Sequence, residues 1–387
     1  MKQAQKKPVV GLFVDDSVIM SLQKQKTSRF FRLNLYAGAA RKAGVKLVLF
    51  SPGCISFNPD KLDGMIYNHR LHRWEAAPSP LPDIIYDRLV GGSPELVREA
   101  DKVRHELNRR GVIKLNAQPY FDKLNLYQTL LRCDRVSPHL PPTRKYRGAE
   151  TLLEMFKGSS RLYLKAVDGR SGKQVVQVAR SPQGGYYYRY FNERLFSGKT
   201  ATLPALEKII KQVTGHKKAI VQKAVDLVQV NNQLMDLRGE MQRNARGELE
   251  IVAILVRLGQ KGSPITTHGE SYQFEDFYHT RLNRSRKEIA LLKERINDFL
   301  YAVYDCVERA YGPFGEIAID FGIDRKGKIW LFECNAKSMK VSLLKSADPD
   351  ATEKAFLNPM LYARYLYYSR QSQDRGREQK KDRNLVK

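Results

Sequence analysis

The stretch "IAIDFGIDRKGKIWLFECNAK", residues 317–337, decides how the chain is read. Two runs rich in Ile, Phe, Leu and Trp flank "DRKG", whose Asp and Gly content marks a turn, so the runs predict the antiparallel strands of one hairpin. Each strand carries a carboxylate, Asp320 or Glu333, in surroundings that suit an apolar core. Glu333 and Asn335 are two residues apart and share a face, Cys334 turns to the other side, and Asp320 lies opposite or diagonal to them. Three oxygen-bearing side chains converge. Carboxylates gathered in an apolar setting repel and lose hydration, a cost of several kcal/mol per ion unless a cation compensates. A hard divalent ion such as Mg²⁺ compensates with a carboxylate or two, phosphate oxygens and water, and so do Lys and Arg side chains. The hairpin alone leaves both open, as well as a plain exposed polar face.

Upstream, "SRKEIALLKERINDFLYAVYDCVERAYG" predicts a long amphipathic helix opening with a Ser285–Glu288 capping box. Before it, "MDLRGEMQRN" and "ELEIVAILVRLG" read as a hairpin that puts Arg238 and Arg257 on strands, where a fork of donors suits phosphate or carboxylate. Hairpin texture begins after "PPTRKY" with "RLYLKAV", "KQVVQVAR" and "GGYYYRYF". The first third instead alternates strand and helix: "VVGLFVDD", "RFFRLNLYAGAARKAG", "VKLVLFSPG", "LDGMIYN", "DIIYDR" and a helix from Ser93 and Pro94 to Gly111. That rhythm predicts a parallel sheet covered by helices. The fold class expected is therefore α/β followed by two α+β segments.

A phosphate-bound cation needs further positive groups and a backbone that can approach it. "YLKAVDGRSGKQVVQV" supplies Lys165 late in a strand and a loop with Gly169 and Gly172; it is not a Walker A loop, because the glycine spacing is too short and Gln174 follows Lys173. Turn composition alone explains the same loop. Lys123 in "YFDKLNLYQTLL" stands in the first turn of a helix, against the helix dipole, which suggests an anion nearby.

The 387 residues exceed one ordinary core, and 67 Lys+Arg against 41 Asp+Glu give a net charge of +26, which favours polyanionic partners. No helix-turn-helix, zinc-finger or RNA-recognition pattern accompanies that charge, so nucleic acid is not the expected partner. Four scattered cysteines indicate neither a disulfide framework nor a zinc site, "HRLH" (His69, His72) lacks a third ligand, and no run approaches a membrane span. A cytoplasmic protein with no membrane partner is expected.

In order along the chain, Lys123 in "FDKLNLYQTLL", Lys165 in "YLKAVDGRSGK", "AIVQKAVDL", "DLR" before an arginine-bearing strand, and Asp-x12-Glu-x-Asn over 320–335 resemble the ATP-grasp superfamily. "FDKLNLYQTLL", "LPPT" and "SMKVSL" look closest to its YheC/YheD-type, spore-coat-associated branch. The resemblance covers about residues 9–368 and implies a pre-ATP-grasp α/β domain (1–120), a first ATP-grasp lobe with hinge (121–225) and a C-terminal lobe with the metal site (226–368), followed by a tail (369–387) whose composition predicts disorder. It implies ATP and Mg²⁺ as cofactors. Lys123 and Lys165 would contact phosphates under a lid containing Gly169 and Gly172. Gln222, Lys223 and Val225 would border the adenine, largely through backbone, with Asp226 a candidate for the ribose. Asp320, Glu333 and Asn335 would hold Mg²⁺, Arg257 would face the transferring phosphoryl group, and Arg238 and Lys337 are further candidates for the nucleotide site. Many members carry Glu where this chain has Gln222, and "GQKGSPITTHGES" lacks the Asn and paired glycines common after the arginine.

The implied activity is ligation of a carboxylate substrate to an amine or thiol acceptor through an acyl phosphate, in association with the spore coat. The alternative is an ATP-binding but non-catalytic coat assembly protein, in contact with other coat proteins through "GGYYYRYF" and "YARYLYYSR". The latter segment also reads as a packed helix from Pro359 with a stripe of Leu361, Tyr365 and Tyr368.

Overall fold

The computed structural model describes residues 6–26, 30–167, 169, 174–267 and 269–385, residues 375–385 as backbone. Three sheets organise the chain. The first holds β1 (Val9–Phe13), β2 (Lys46–Phe50), β3 (Ile55–Phe57), β4 (Asp60–Asn68), β5 (Arg73–Ser79), β6 (Ile84–Asp87) and β7 (Ile113–Lys114), with α1 (Asp16–Gln23), α2 (Phe31–Ala43) and α3 (Pro94–Arg109) between them. β1 runs parallel to β2 and β6, and β6 to β7, as the alternating rhythm predicts. The sheet is nevertheless mixed: "LDGMIYN" forms β4 antiparallel to β2 and turns at once into β5, because so short a connection cannot cross over to a parallel neighbour. α2 stops at Gly44, whose φ of 71° only glycine adopts without cost.

The second sheet is antiparallel throughout, in the order β12-β11-β10-β9-β13-β8. Its strands are β8 (Thr143–Lys145), β9 (Arg161–Ala166), β10 (Val175–Arg180), β11 (Tyr186–Asn192), β12 (Arg194–Thr200) and β13 (Ala219–Lys223). After α4 (Lys123–Leu131), the helices α5 (Ala149–Phe156) and α6 (Leu203–Thr214) cover one face of this sheet, and Leu152, Leu162, Leu164, Val178, Leu206 and Ile210 form a core of their own.

The third sheet runs β17-β16-β15-β18-β19, with β14 on β15. It is built from β14 (Gln229–Val230), β15 (Gln233–Arg243), β16 (Leu249–Leu258), β17 (Glu270–Gln273), β18 (Glu316–Ile323) and β19 (Ile329–Asn335), with α7 (Phe274–Thr280) and α8 (Arg286–Tyr311). The capping box at Ser285 and Glu288 is present. Alternation sorts this sheet cleanly: Met235, Leu237, Met241, Ile317, Ile319 and Phe321 face α8 and pack on Ile296, Phe299 and Val303. Gly239 belongs to that face because a Cβ there would lie 2.6 Å from Leu300.

Residues 121–140, which the resemblance assigns to the first lobe, pack Leu126, Leu130, Val136 and Leu140 into the core beneath the third sheet. After α9 (Val341–Lys345), the last helix, α10, spans Pro349–Leu385 with Pro359 inside it, and its buried stripe is Phe356, Met360, Ala363 and Tyr367 against α2, while Tyr365 is exposed. The backbone stays helical to Leu385 where disorder was expected, since Gln, Arg, Glu and Lys are good helix formers in continuation of an anchored helix. Cys133 and Cys306, 173 positions apart, are joined as a disulfide between the end of α4 and α8, a pairing that such a separation hides from any local reading.

Candidate functional site

The second and third sheets turn polar faces toward one another, and strand register lays out each face as a row. In the second sheet Arg189, Gln177, Tyr163, Gln222 and Thr143 stand opposite one another across β11, β10, β9, β13 and β8. Arg189 Nε donates to Gln177 Oε1 (2.6 Å), Gln177 Nε2 to Tyr163 Oη (2.6 Å), and Gln222 Nε2 to Thr143 Oγ1 (2.9 Å). Lys165, two residues from Tyr163, projects from the same face and donates to Gln222 Oε1 at 2.8 Å.

In the third sheet Arg257 stands opposite Asp236, Arg238 opposite Asp320, and Asp320 opposite Glu333. A bulge at Asp320/Phe321 leaves Phe332 as the extra residue, so Phe332 and Glu333 both turn to the cleft while Leu331 and Cys334 keep to the core. The answer to why anions occupy these strands is then visible. Arg238 forks onto Asp320 (Nε to Oδ1 2.7 Å, Nη2 to Oδ2 2.8 Å), Arg257 adds Nη1 at 3.2 Å from Oδ1, and Glu333 Oε1 lies 3.1 Å from Lys123 Nζ. Burial opposes the Asp320 charge, but Arg238 and Arg257 outweigh it and hold its carboxyl below the usual range. Each carboxylate has a cation from a neighbouring element.

Lys123 joins the two faces. Asp122 caps α4 by accepting from Leu124 N and Asn125 N, so the anion expected at this helix end is the protein's own, and Lys123 turns away to Glu333 and to Gly169 O (2.6 Å). Lys165 Nζ lies 5.8 Å from the Phe332 ring centre. Burial lowers its pKa to about 8, Lys123 pushes the same way, and Glu333, Asp320 and Asp236 oppose. Between these groups lies a cavity of ≈ 40 Å³ bordered by Lys123, Lys165, Gln222, Phe332 and Glu333. Ligand clefts hold about 300 Å³ or more, so the space between the two sheets as they stand is too small for a ligand of that size.

The sequence-predicted residues divide into three groups. Lys123, Lys165, Gly169, Gln222, Glu333, Asp320, Arg238 and Arg257 meet in the cleft. Asn335 shares the face of Glu333, and its Nδ2 is buried without a hydrogen-bond partner. Gly172 lies outside the described residues. Three residues turn their side chains elsewhere. The Lys223 side chain goes to the other face of β13 and lies over Gly158, as strand alternation from Gln222 requires, which leaves only its backbone beside Gln222. Asp226 is exposed where the chain crosses between sheets, within 3.4 Å of Arg161 and 3.5 Å of Arg325; Val225 is half-buried beside it. Lys337 reaches the first sheet instead, donating to Asp87 Oδ1 (2.7 Å) and Leu89 O (2.6 Å), and burial lowers its pKa to about 8.

Sequence reasoning passed over Asp236 and Thr266. Asp236 forks onto Arg257 (Nε to Oδ1 2.7 Å, Nη2 to Oδ2 2.7 Å) and accepts Thr266 Oγ1 at 2.6 Å. Burial pushes its carboxyl upward, while Arg257 and Thr266 pull the other way; two acceptor oxygens in the fork require the ionised form. The signal was available, since Asp236 and Arg238 are two apart on one strand.

A mixed α/β sheet followed by two α+β units that face each other across a lysine-bearing cleft is the architecture of an ATP-grasp protein. A family profile described as "YheC/D like ATP-grasp" matches residues 112–366, and the chain belongs to that family. The endospore coat-associated protein YheD of Bacillus subtilis (strain 168) is 26% identical over 336 residues, covering 85% of this chain and 72% of the relative. Among solved structures, the VanG D-Ala:D-Ser ligase of Enterococcus faecalis is similar over 94% of this chain and 100% of its own (TM-score 0.53, 12% identity). The ATP-grasp ligase PsnB, in complex with a phosphomimetic variant of its minimal precursor, Mg and ADP, is similar over 93% of this chain and 99% of its own (TM-score 0.50, 11% identity). No helix among the described residues is long and apolar enough to cross a membrane.

Proposed function

We propose that this chain is a Mg-ATP-dependent ligase. A substrate carboxylate oxygen attacks the γ-phosphorus, the bond to the β-phosphate oxygen breaks and ADP leaves; an amine or thiol then attacks the acyl carbon, losing its proton as inorganic phosphate departs. The observation that carries the reading is the pair of facing polar rows, with Lys123 and Lys165 projecting into the cleft opposite Asp320 and Glu333. Such a site acts by holding charged groups in place before the reaction, in a setting where little water screens them.

The residues fit a magnesium ion in donor chemistry: Glu333 and Asn335 present oxygen on one face beside Asp320, whose two oxygens Arg238 would have to share with the metal, and Asn335 Nδ2 is buried with no hydrogen-bond partner among the described residues. Bound there with ATP, Mg²⁺ would neutralise phosphate charge. Lys123, released from Glu333, turns its ammonium to a phosphate oxygen while keeping Gly169 O. Lys165 does the same from the opposite sheet, and Gln222 orients it. Arg257 and Arg238 present donors to the transferring group. Gln222 and the backbone through Val225 line the base.

Association with the spore coat follows from the name of the YheD relative. A second reading, ATP binding without catalysis in coat assembly, is favoured by one observation: Arg257 is already engaged by both Asp236 and Asp320. Both are tested by following ADP release from Mg-ATP with amino acids and acidic peptides. Turnover that Glu333→Ala abolishes supports the ligase; Mg-ATP binding without ADP under every acceptor supports the second reading; absence of binding overturns both.

A further inference from the structure

Arg257 has five N–H donors, as every guanidinium does. One on Nε and one on Nη2 go to the two oxygens of Asp236, and one on Nη1 faces Asp320. A second N–H remains on each terminal nitrogen. The fork fixes the plane of the guanidinium, because two parallel bonds to one carboxylate allow no rotation about either. Asp236 is itself held: it is buried, and Thr266 donates to Oδ2 at 2.6 Å. Thr266 lies in the connection between β16 and β17, which is held by two bonds from outside and one within it. Gln233 Nε2 donates to Gly259 O (2.8 Å), Ser263 Oγ to Ile265 O (2.9 Å), and Arg189 of the second sheet reaches Gly262 O (3.1 Å).

We propose that Asp236 and Thr266 are positioning residues that aim Arg257 at the terminal phosphate, and that the Arg189–Gly262 contact makes this aim depend on the two sheets being closed. The inference rests on the nucleotide reading above, and it adds a division of labour to it. Lys123 and Lys165 supply charge wherever the phosphates lie, whereas Arg257 acts at one place and needs its plane fixed. Asn at 236 keeps shape but offers one acceptor oxygen, so one bond of the fork is lost and an N–H group faces an N–H group. Val at 266 keeps volume and the Asp236 charge and removes only the hydroxyl.

The test is calorimetric titration of the full-length protein with Mg-ATP and with Mg-ADP, which lacks the terminal phosphate. Asp236→Asn is expected to weaken Mg-ATP about ten- to a hundredfold with Mg-ADP nearly unchanged, the size of a charge-assisted hydrogen bond; Thr266→Val is expected to do so about threefold by the same scale. Arg189→Met is expected to weaken Mg-ATP more than Mg-ADP as well. Thermal melts identify loss of fold, and Thr266→Val, which leaves every ion pair in place, carries the test if Asp236→Asn is unfolded. Equal losses for both nucleotides, or no change in the ratio in any variant, overturn the positioning role. A wild type that binds neither nucleotide overturns the nucleotide reading itself, a result distinct from an unchanged ratio.

Discussion

Lys165 is the residue on which burial and function pull hardest in opposite directions, and Mg-ATP binding is expected to take up a proton through it. Its pKa falls from 10.5 to about 8, which makes charging it in the fold about 3 kcal/mol more costly than in the unfolded chain. The cause is burial beside a neutral partner, Gln222, where a carboxylate would have compensated. Bound phosphates supply the missing anion and restore the higher pKa. Uptake on binding is then about 0.1 proton at pH 7, about 0.5 at pH 8 and about 0.9 at pH 9. Calorimetry in buffers of different ionisation enthalpy reads this number directly. Lys165→Met abolishes it, and Gln222→Glu, which places a carboxylate 2.8 Å from the ammonium, reduces it toward zero. Stability carries the same sign. Between pH 8 and 10.5 the unfolded chain holds a proton on Lys165 that the fold does not, so stability rises with pH in that window and the cost is complete below it. Lys165→Met therefore stabilises the free protein by about 2 kcal/mol at pH 7, the relief of about 3 less about 1 for the lost hydrogen bond. The advantage disappears by pH 10.5. Tight Mg-ATP binding at pH 8–9 with no dependence on buffer, or the same dependence in Lys165→Met, refutes the reasoning.

Glu333→Gln removes the anion that Lys123 faces. It is expected to weaken Mg-ATP at least tenfold, at about 1.4 kcal/mol per decade, and to flatten the dependence of binding on Mg²⁺ concentration while the melting temperature barely moves; an unchanged Mg²⁺ dependence counts against Glu333 as a ligand. Gly239→Ala drives a methyl to 2.6 Å from Leu300 in the core under the third sheet, and denaturant unfolding is expected to show a loss of about 1–3 kcal/mol.

What the sequence made legible follows from period. Strand alternation put Glu333 and Asn335 on one face and Cys334 on the other, and the structure agrees because the bulge falls before Glu333, at Phe332. The same alternation, applied to "AIVQKAVDL", turns the Lys223 side chain away from Gln222 and leaves Lys223 only its backbone on that side. Lys337 could not be read, because its partner Asp87 is 250 residues distant and on another sheet. Asp236 was missed for a different reason: alternation put it on the face of Arg238, but only the register shows Arg257 directly opposite it. The long return of α10 onto α2 was likewise invisible, since Phe356, Met360, Ala363 and Tyr367 find their partners only in three dimensions.

The polar face of the third sheet is close to neutral before any ligand arrives. Lys123, Lys165, Arg238 and Arg257 stand against Asp236, Asp320 and Glu333, and burying charges in such pairs costs far less than burying them singly. Under the proposed function, a nucleotide would have to exchange partners within this arrangement. A cation taking over Glu333 would strip Lys123 of its counter-charge and free it for a phosphate, so metal and phosphate would favour each other through that one pair. Arg257 does not exchange in this way, because both oxygens of Asp236 hold it and Thr266 holds Asp236. Register is what makes the distinction possible: neighbouring strands about 4.8 Å apart set Asp236 directly opposite Arg257, whereas Glu333 meets its cation, Lys123, from a helix.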